Sequence, residues 1–213
     1  MKGLAPHTGR IIDAISQLDC IKPYTLVGGT ALSIQLETRQ SEDLDFQRWR
    51  SSKDEKMEVA WSKIEKELST VGNLEKIDIL DIDHVEFIIE GVKLSFYACD
   101  KYSPIEAAKP YLNNIILADI LALGAMKMEV MLRRHNFRDY YDIYSILKNG
   151  VNIDTLIEKA LTYSQHRLKS KNLLSMLTRG DLFVRDENFQ QLQPTYDVDS
   201  HDIEIFIRQC LGK

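Results

Sequence analysis

The residues best suited to chemistry in this 213-residue chain are two acids two positions apart, Asp43 and Asp45, in the run Ser41-Glu42-Asp43-Leu44-Asp45-Phe46. Side chains of a β-strand alternate between faces, so in an extended segment both carboxylates share one surface while Leu44 and Phe46 enter the core. Hard cations such as Mg²⁺ are held by one or two carboxylates together with phosphate oxygens, so the pair points to phosphoryl or nucleotidyl transfer. Upstream, Leu26-Val27-Gly28-Gly29-Thr30-Ala31-Leu32 reads as a buried strand that breaks at two glycines into a helix. Glycines let the backbone approach a triphosphate closely, and amides at the start of the helix receive phosphate with help from its dipole. The doubled glycine alone equally suits a tight strand-to-helix turn, and the acids alone suit a solvated edge strand. The combination is the more specific signal.

These residues need a scaffold. Ile11, Ile12, Ile15 and Leu18 stand at helical spacing and predict a helix over 8–18, separated from the glycine strand by Pro23. After the glycines a helix is expected over 30–37. Val59, Ala60, Ile64 and Leu68, with Trp61 beside them, predict a surface helix over 52–69 that stops at Gly72-Asn73. Residues 77–80, 85–89 and 92–97, joined by short turns, predict an antiparallel meander. Pro104 and Pro110 punctuate the stretch that follows, and a domain boundary is expected there. That divides the chain into an α/β core over 1–105 and a mainly helical region over 106–213. Helices are expected there over 117–132, 139–147, 153–163, 167–177 and 202–211, with 181–194 an irregular crossing. The fold class is α+β.

Composition narrows the function. A formal net charge of -5 argues against a protein that coats nucleic acid non-specifically, while leaving room for a local basic cleft. Cys20, Cys99 and Cys210 are odd in number and widely spaced, which fits neither a disulfide framework nor a paired zinc site. Met1-Lys2-Gly3-Leu4-Ala5-Pro6 leads into polar residues instead of the apolar run of a signal peptide, and no stretch is apolar for long enough to span a membrane. A cytoplasmic protein is expected.

Val27-Gly28-Gly29-Thr30-Ala31-Leu32, then Arg39, Ser41, Asp43, Asp45 and Phe46, resembles the first motif of the AbiEii-type nucleotidyltransferases, the toxins of type IV toxin-antitoxin systems and their relatives. The resemblance resumes at Lys127, Arg134 and Arg138-Asp139-Tyr140-Tyr141-Asp142-Ile143; the last sixty or so residues carry no further match. It implies a nucleotidyltransferase-like mixed sheet with flanking helices, followed by a C-terminal helical bundle, with the active site between them. Gly28, Gly29, Thr30 and Ser41 would hold the nucleotide phosphates, and Asp43 and Asp45 would bind Mg²⁺. Lys127 would contact the triphosphate, and Asp139 would act near the nucleophile or orient Lys127. The implied partners are an NTP, an acceptor such as the 3' end of a tRNA or another RNA, and a cognate antitoxin protein. Apart from the resemblance, Lys127 reads as a solvated helix lysine, Asp139 as a first-turn helix acid with Arg138 as its ion-pair partner, and Asp142 as a partner of Arg134 or Arg138.

One position departs from the pattern. Many nucleotidyltransferases carry a third acid on a strand of the meander, where it can accept the nucleophile's proton, but in Val92-Lys93-Leu94-Ser95-Phe96-Tyr97 that position is Ser95. Asp139 or a nearby acid such as Asp78 would have to replace it. Otherwise the fold would serve as a catalytically reduced nucleotide-binding or protein-interaction module, the alternative to an enzyme that transfers a nucleoside monophosphate and releases pyrophosphate. A kinase-like phosphoryl transferase is a third reading. Three further groups are candidates: the basic run Arg133 to Arg138 with His135, for contact with phosphate; His84 among loop acids, as a metal ligand; and Arg48-Trp49-Arg50, as a clamp on a base or RNA.

Overall fold

In the computed structural model, which describes residues 2–165, 167–184 and 186–212, the chain forms two compact units. The first comprises 1–34 and 41–119, and the second 35–40 and 120–213.

The first unit is built on one seven-stranded mixed sheet. Its strands are β1 (Thr25–Val27), β2 (Leu44–Trp49), β3 (Leu74–Asp81), β4 (His84–Ile89), β5 (Val92–Cys99), β6 (Lys109–Leu112) and β7 (Ile115–Leu117), in the order β3-β4-β5-β2-β1-β7-β6. Period-two alternation sets one face against the core. Val85, Phe87 and Ile89 of β4, Leu94 and Phe96 of β5 and Leu44 and Phe46 of β2 are all buried. Their rings interlock: Phe46 stacks on Phe96 at 5.2 Å between centroids, and Phe87 meets Phe96 edge-on at 5.7 Å. The opposite face carries His84, Glu86, Lys93, Ser95, Tyr97 and Asp45 at the alternate positions. Three helices belong to this unit wholly or in part: α1 (Pro6–Ser16), with Pro6 at its first position, α2 (Gly28–Leu36) and α3 (Trp61–Leu68).

The second unit is helical: α4 (Ile120–Val130), α5 (Phe137–Lys148), α6 (Ile153–Tyr163), α7 (Ser170–Leu177) and α8 (Ser200–Cys210), with short 3₁₀ turns at Gly180–Leu182 and Glu187–Leu192. Side chains at the helix starts absorb free amides: Asn136 and Asn152 accept from the first turns of α5 and α6, and Asp199 with Asp202 forms a capping box on α8. Gly124 permits the close packing of α4, since a Cβ there would stand 2.6 Å from Leu156 and 3.1 Å from Ile146. Around α5, Tyr140 stacks on Phe183 and its hydroxyl donates to the Leu177 carbonyl, while Phe137 and Tyr141 both meet Phe189.

Several expected elements change shape. The helix expected over 52–69 is helical only from Trp61 to Leu68. The preceding loop is held instead by Arg48, which pairs with Glu55 at 2.7 Å and donates to the carbonyls of Lys56 and Glu58. Arg48 is thereby committed to the scaffold. Trp61 is 40% exposed, because the apolar stripe of α3 runs through Ile64 and Leu68. The prolines over 104–110 lie inside the first unit, because β6 and β7 pair with each other and β7 runs parallel beside β1. Pro110 sits in the edge strand β6, where a missing N–H is tolerated. The glycine helix begins at Gly28, two residues earlier than the sequence signals. Among the described residues no helix is long and apolar enough to cross a membrane. All three cysteines are free, and burial pushes the Cys20 thiol up to about 12, which keeps it unreactive.

Candidate active site

Strand register assembles the acidic face. β1 runs antiparallel to β2 with Val27 opposite Asp45, so the turn into α2 begins directly beside that carboxylate. Gly28, at φ +69°, occupies the left-handed region, and a Cβ built on it would lie 2.3 Å from Asp45 Oδ2. Glycine is required there twice over, once for the backbone and once to leave room for the acid. Gly28→Ala is expected to cost roughly 1–3 kcal/mol of stability from the positive φ and to push the Asp45 side chain aside. Denaturant titration checks the first effect and Mg²⁺ affinity the second.

Asp43 lies one residue before β2 and is about half exposed. Its backbone is fixed from below. The Thr30 hydroxyl donates to the Asp43 carbonyl and stands 2.9 Å from Ser41 Oγ, and both hydroxyls are buried. Thr30 and Ser41 therefore tie the first turns of α2 to the segment that carries the acids. Lys93 Nζ, on β5, lies 3.9 Å from Asp43 Oδ2 and 3.6 Å from Glu86 Oε1. β5 runs parallel to β2 with Ser95 opposite Asp45, and Glu86 of β4 lies opposite Ser95 in turn. Asp45, Ser95 and Glu86 thus form one lateral row across three strands.

Two partly exposed carboxylates near a glycine turn match what Mg²⁺ takes from proteins: one or two carboxylate oxygens, with the remaining positions left to water and phosphate. No cluster of three or more acidic, histidine or cysteine side chains suited to a metal occurs among the described residues. His84, considered as a ligand, stacks on Tyr97 with centroids 4.2 Å apart. Asp78 pairs with Lys76 at 2.7 Å on the edge strand β3.

The second unit holds a different constellation, buried and closed. Lys127 Nζ is 2.7 Å from Asp139 Oδ1 and 2.7 Å from Asp142 Oδ2. Arg39 donates to Asp142 through Nε at 2.8 Å and Nη2 at 2.9 Å, a bidentate pair. Arg134 Nε reaches Asp139 Oδ2 at 2.9 Å. Lys127 is only 9% exposed, and both aspartates 1%. The expectation of a solvated Lys127 is corrected here: two cationic and two anionic buried groups compensate one another, which is what allows charge in an interior. The partners also change. Arg138 pairs with Asp186 at 3.2 Å instead of Asp139, and Asp142 takes Arg39, more than a hundred residues away in sequence, instead of Arg134 or Arg138. Arg133 pairs with Glu129 and His135 lies edge-on to Phe183, so that basic run is largely spent on local contacts.

Electrostatics follows from the pairing. Burial raises the pKa of Asp142, but Arg39 and Lys127 outweigh it and hold the carboxyl below its ordinary value. Burial likewise raises Asp139, and Lys127 and Arg134 bring it below the usual range. Burial lowers Lys127, and the two aspartates raise it overall. All three groups are charged at neutral pH.

An α+β unit whose mixed sheet presents paired acids beside a glycine turn defines a nucleotidyltransferase-like protein. The same fold occurs in a crystal structure of a candidate nucleotidyltransferase from H. pylori, with a TM-score of 0.55, 17% identity and coverage of 98% of this chain and 96% of that one. The chain belongs to the AbiEii nucleotidyl transferase toxin family of type IV toxin-antitoxin systems, whose family model matches residues 10–208. It is also similar to the uncharacterized protein aq_aa25 of Aquifex aeolicus, at 24% identity over 217 residues, covering 98% of this chain and 96% of the relative.

Sequence reasoning named Gly28, Asp43 and Asp45: within the first unit Asp45 stands against Gly28, and Asp43 is tied through its carbonyl to Thr30 in the first turn of α2. Lys127 and Asp139 meet within the second. Glu86 and Lys93 were missed on the acidic face, and Arg39 and Asp142 were missed as a pair. Only the register of β4 on β5, or a contact across a hundred residues, reveals them.

Proposed function

We propose that this protein is a Mg²⁺-dependent nucleotidyltransferase that moves a nucleoside monophosphate from an NTP to an acceptor hydroxyl and releases pyrophosphate. The observation that carries the reading is the fit of Gly28 against Asp45, which keeps a carboxylate in a space that any side chain at position 28 would fill. Family membership supports the same class of reaction. Asp43 and Asp45 would hold the metal; when bound, it supplies Lewis-acid charge to the phosphate oxygens. The backbone at Gly28 and Gly29 would receive the triphosphate at the start of α2, where amide dipoles favour anions. Thr30 and Ser41 keep the acid-bearing segment in register with that helix.

Lys127 is proposed to neutralise charge moving toward the leaving pyrophosphate. Asp139 and Asp142 each hold its ammonium at 2.7 Å. Asp139 fits an orienting role for Lys127, since a carboxyl held below its usual range by two cations is a poor proton acceptor. An RNA acceptor such as a tRNA 3' end, a cognate antitoxin and action in the cytoplasm, where NTP and RNA coexist, complete the proposal by family likeness. Ser95 at the place of a third acid favours one competitor, a catalytically reduced nucleotide-binding module.

The test is incubation of the purified protein with each α-labelled NTP, Mg²⁺ and total RNA, with product analysis. Label in RNA together with stoichiometric pyrophosphate is expected. Release of NDP would indicate a kinase, and nucleotide binding without transfer would leave the module.

A further inference from the structure

The reaction needs a group to take the proton of the acceptor hydroxyl, and on the acidic face the position opposite Asp45 is the serine Ser95. The next strand outward answers this. Strands lie about 4.8 Å apart, so an acid one strand further from Asp45 needs a longer side chain and a small residue between. β4 carries a glutamate at that position, and β5 carries the serine. Ser95 is fully buried and its Oγ donates to Glu86 Oε1 at 3.4 Å, so the serine fills the gap and steers the carboxylate.

The surroundings of Glu86 are those of a positioned acid. Lys93 Nζ lies 3.6 Å and His84 Nε2 3.4 Å from the same Oε1. Among the described residues all the contacts of this carboxylate fall on Oε1, which leaves Oε2 to receive a proton. Lys93 also touches Asp43, so one ammonium stands between the carboxylate assigned to the metal and Glu86. Of the other two candidates, Asp78 lies one strand further from Asp45, opposite Glu86, and Asp139 has one oxygen on Lys127 and the other on Arg134.

Resting on the nucleotidyltransferase reading, we propose that Glu86, reaching over Ser95 from the neighbouring strand, is the proton acceptor for the acceptor hydroxyl. The acceptor O–H bond breaks as its oxygen bonds to the α-phosphorus. The proton passes to Glu86 Oε2, the bond from the α-phosphorus to the bridging oxygen breaks, and pyrophosphate leaves with that electron pair. Glu86 then returns its proton to water.

The experiment compares wild type, Glu86→Gln, and Glu86→Gln combined with Ser95→Asp, using the α-labelled NTP and RNA assay and calorimetric binding of Mg²⁺ with the same NTP. Glu86→Gln is expected to lower kcat about 100-fold or more, the usual contribution of a general base, while KM and calorimetric affinity for the NTP stay within about threefold. Adding Ser95→Asp places a carboxylate directly beside Asp45 and is expected to restore at least about tenfold of the lost rate by the same chemistry. Transfer by wild type that survives Glu86→Gln within about twofold, a loss accompanied by equally weakened NTP binding, or no recovery in the double variant would overturn the role of Glu86 while leaving the nucleotidyltransferase reading in place. Absence of transfer by wild type would overturn that reading, and this inference with it.

Discussion

Asp45→Asn will abolish nucleotidyl transfer to within about a thousandth of the wild-type rate while leaving the protein folded. The substitution keeps the shape of the side chain beside Gly28 and removes its charge. A metal that loses one of two anionic ligands gives up several kcal/mol of stabilisation at the developing phosphate charge, and about 4 kcal/mol corresponds to roughly a thousandfold in rate. Asp45 is only partly buried, so stability should move by no more than about 1 kcal/mol. Chelation of Mg²⁺ from the wild type should reproduce the loss, and added Mg²⁺ should reverse it. Single-turnover rates and isothermal titration of Mg²⁺ with NTP, beside circular dichroism of each variant, separate a lost metal from a lost fold. Full activity in Asp45→Asn would mean that the metal, if used, binds elsewhere.

The largest stability effect is expected at Asp142. Asp142→Asn removes the anion that compensates both Arg39 and Lys127 while leaving those cations buried, and breaking one partner out of a buried pair typically costs about 3–5 kcal/mol. Replacing both Arg39 and Asp142 with apolar residues of similar volume, Arg39→Met with Asp142→Leu, should recover much of that loss, since Lys127 and Asp139 still neutralise each other. The effect depends on pH with a definite sign. The folded pKa of Asp142 lies below its ordinary 3.8, so the unfolded chain binds the proton more readily, and the stabilisation is fully present above that value and lost as pH falls through the lower, folded one. The stability gap between wild type and Asp142→Asn should therefore stay constant from pH 7 to about 5 and narrow below about 4. Urea titrations over that range measure it. A gap that widened under acid would contradict the pairing.

The two predictions probe different layers of the molecule. The acidic face of the first unit is partly open, and its charges act on whatever binds there. The Arg39, Lys127, Asp139 and Asp142 quartet is closed, and its charges act mainly on one another. Arg39 belongs to the second unit although it lies between α2 and β2, because Thr38, Gln40 and Arg39 all bond to residues beyond 140: the Thr38 carbonyl accepts from Tyr141, Gln40 donates to the Leu192 carbonyl, and Arg39 pairs with Asp142. The chain thus leaves the first unit six residues before the acidic segment and returns at Ser41. Loss of Asp142 is expected to loosen that excursion.

How much of this was legible in the string of residues follows from the range of the interactions. Local rules were sufficient for the turn at Gly28 and for the strand that carries Asp45, because a turn and a strand are decided by neighbours a few residues apart, whereas Asp43, expected in that strand, lies one residue before it. The same rules found the meander and most helices of the second half, although the helix expected over 52–69 shrank once Arg48 drew the loop to itself. The strands β6 and β7 escaped because four- and three-residue segments beside a proline carry almost no periodicity and exist only as partners of β1 and of each other.

By itself, then, the sequence determined the class of fold and the family pattern, both of which depend on residue type and short spacing. Only the tertiary structure decided that Glu86 stands in a row with Ser95 and Asp45, since that row depends on register across three strands. It also decided that Lys127 is buried between two aspartates, one of them held by Arg39. A lysine cannot be known as buried until its counter-charges are found. Those lie 12 and 15 residues away on a different helix, with the arginine that holds one of them 103 residues from it, distances over which no local propensity acts.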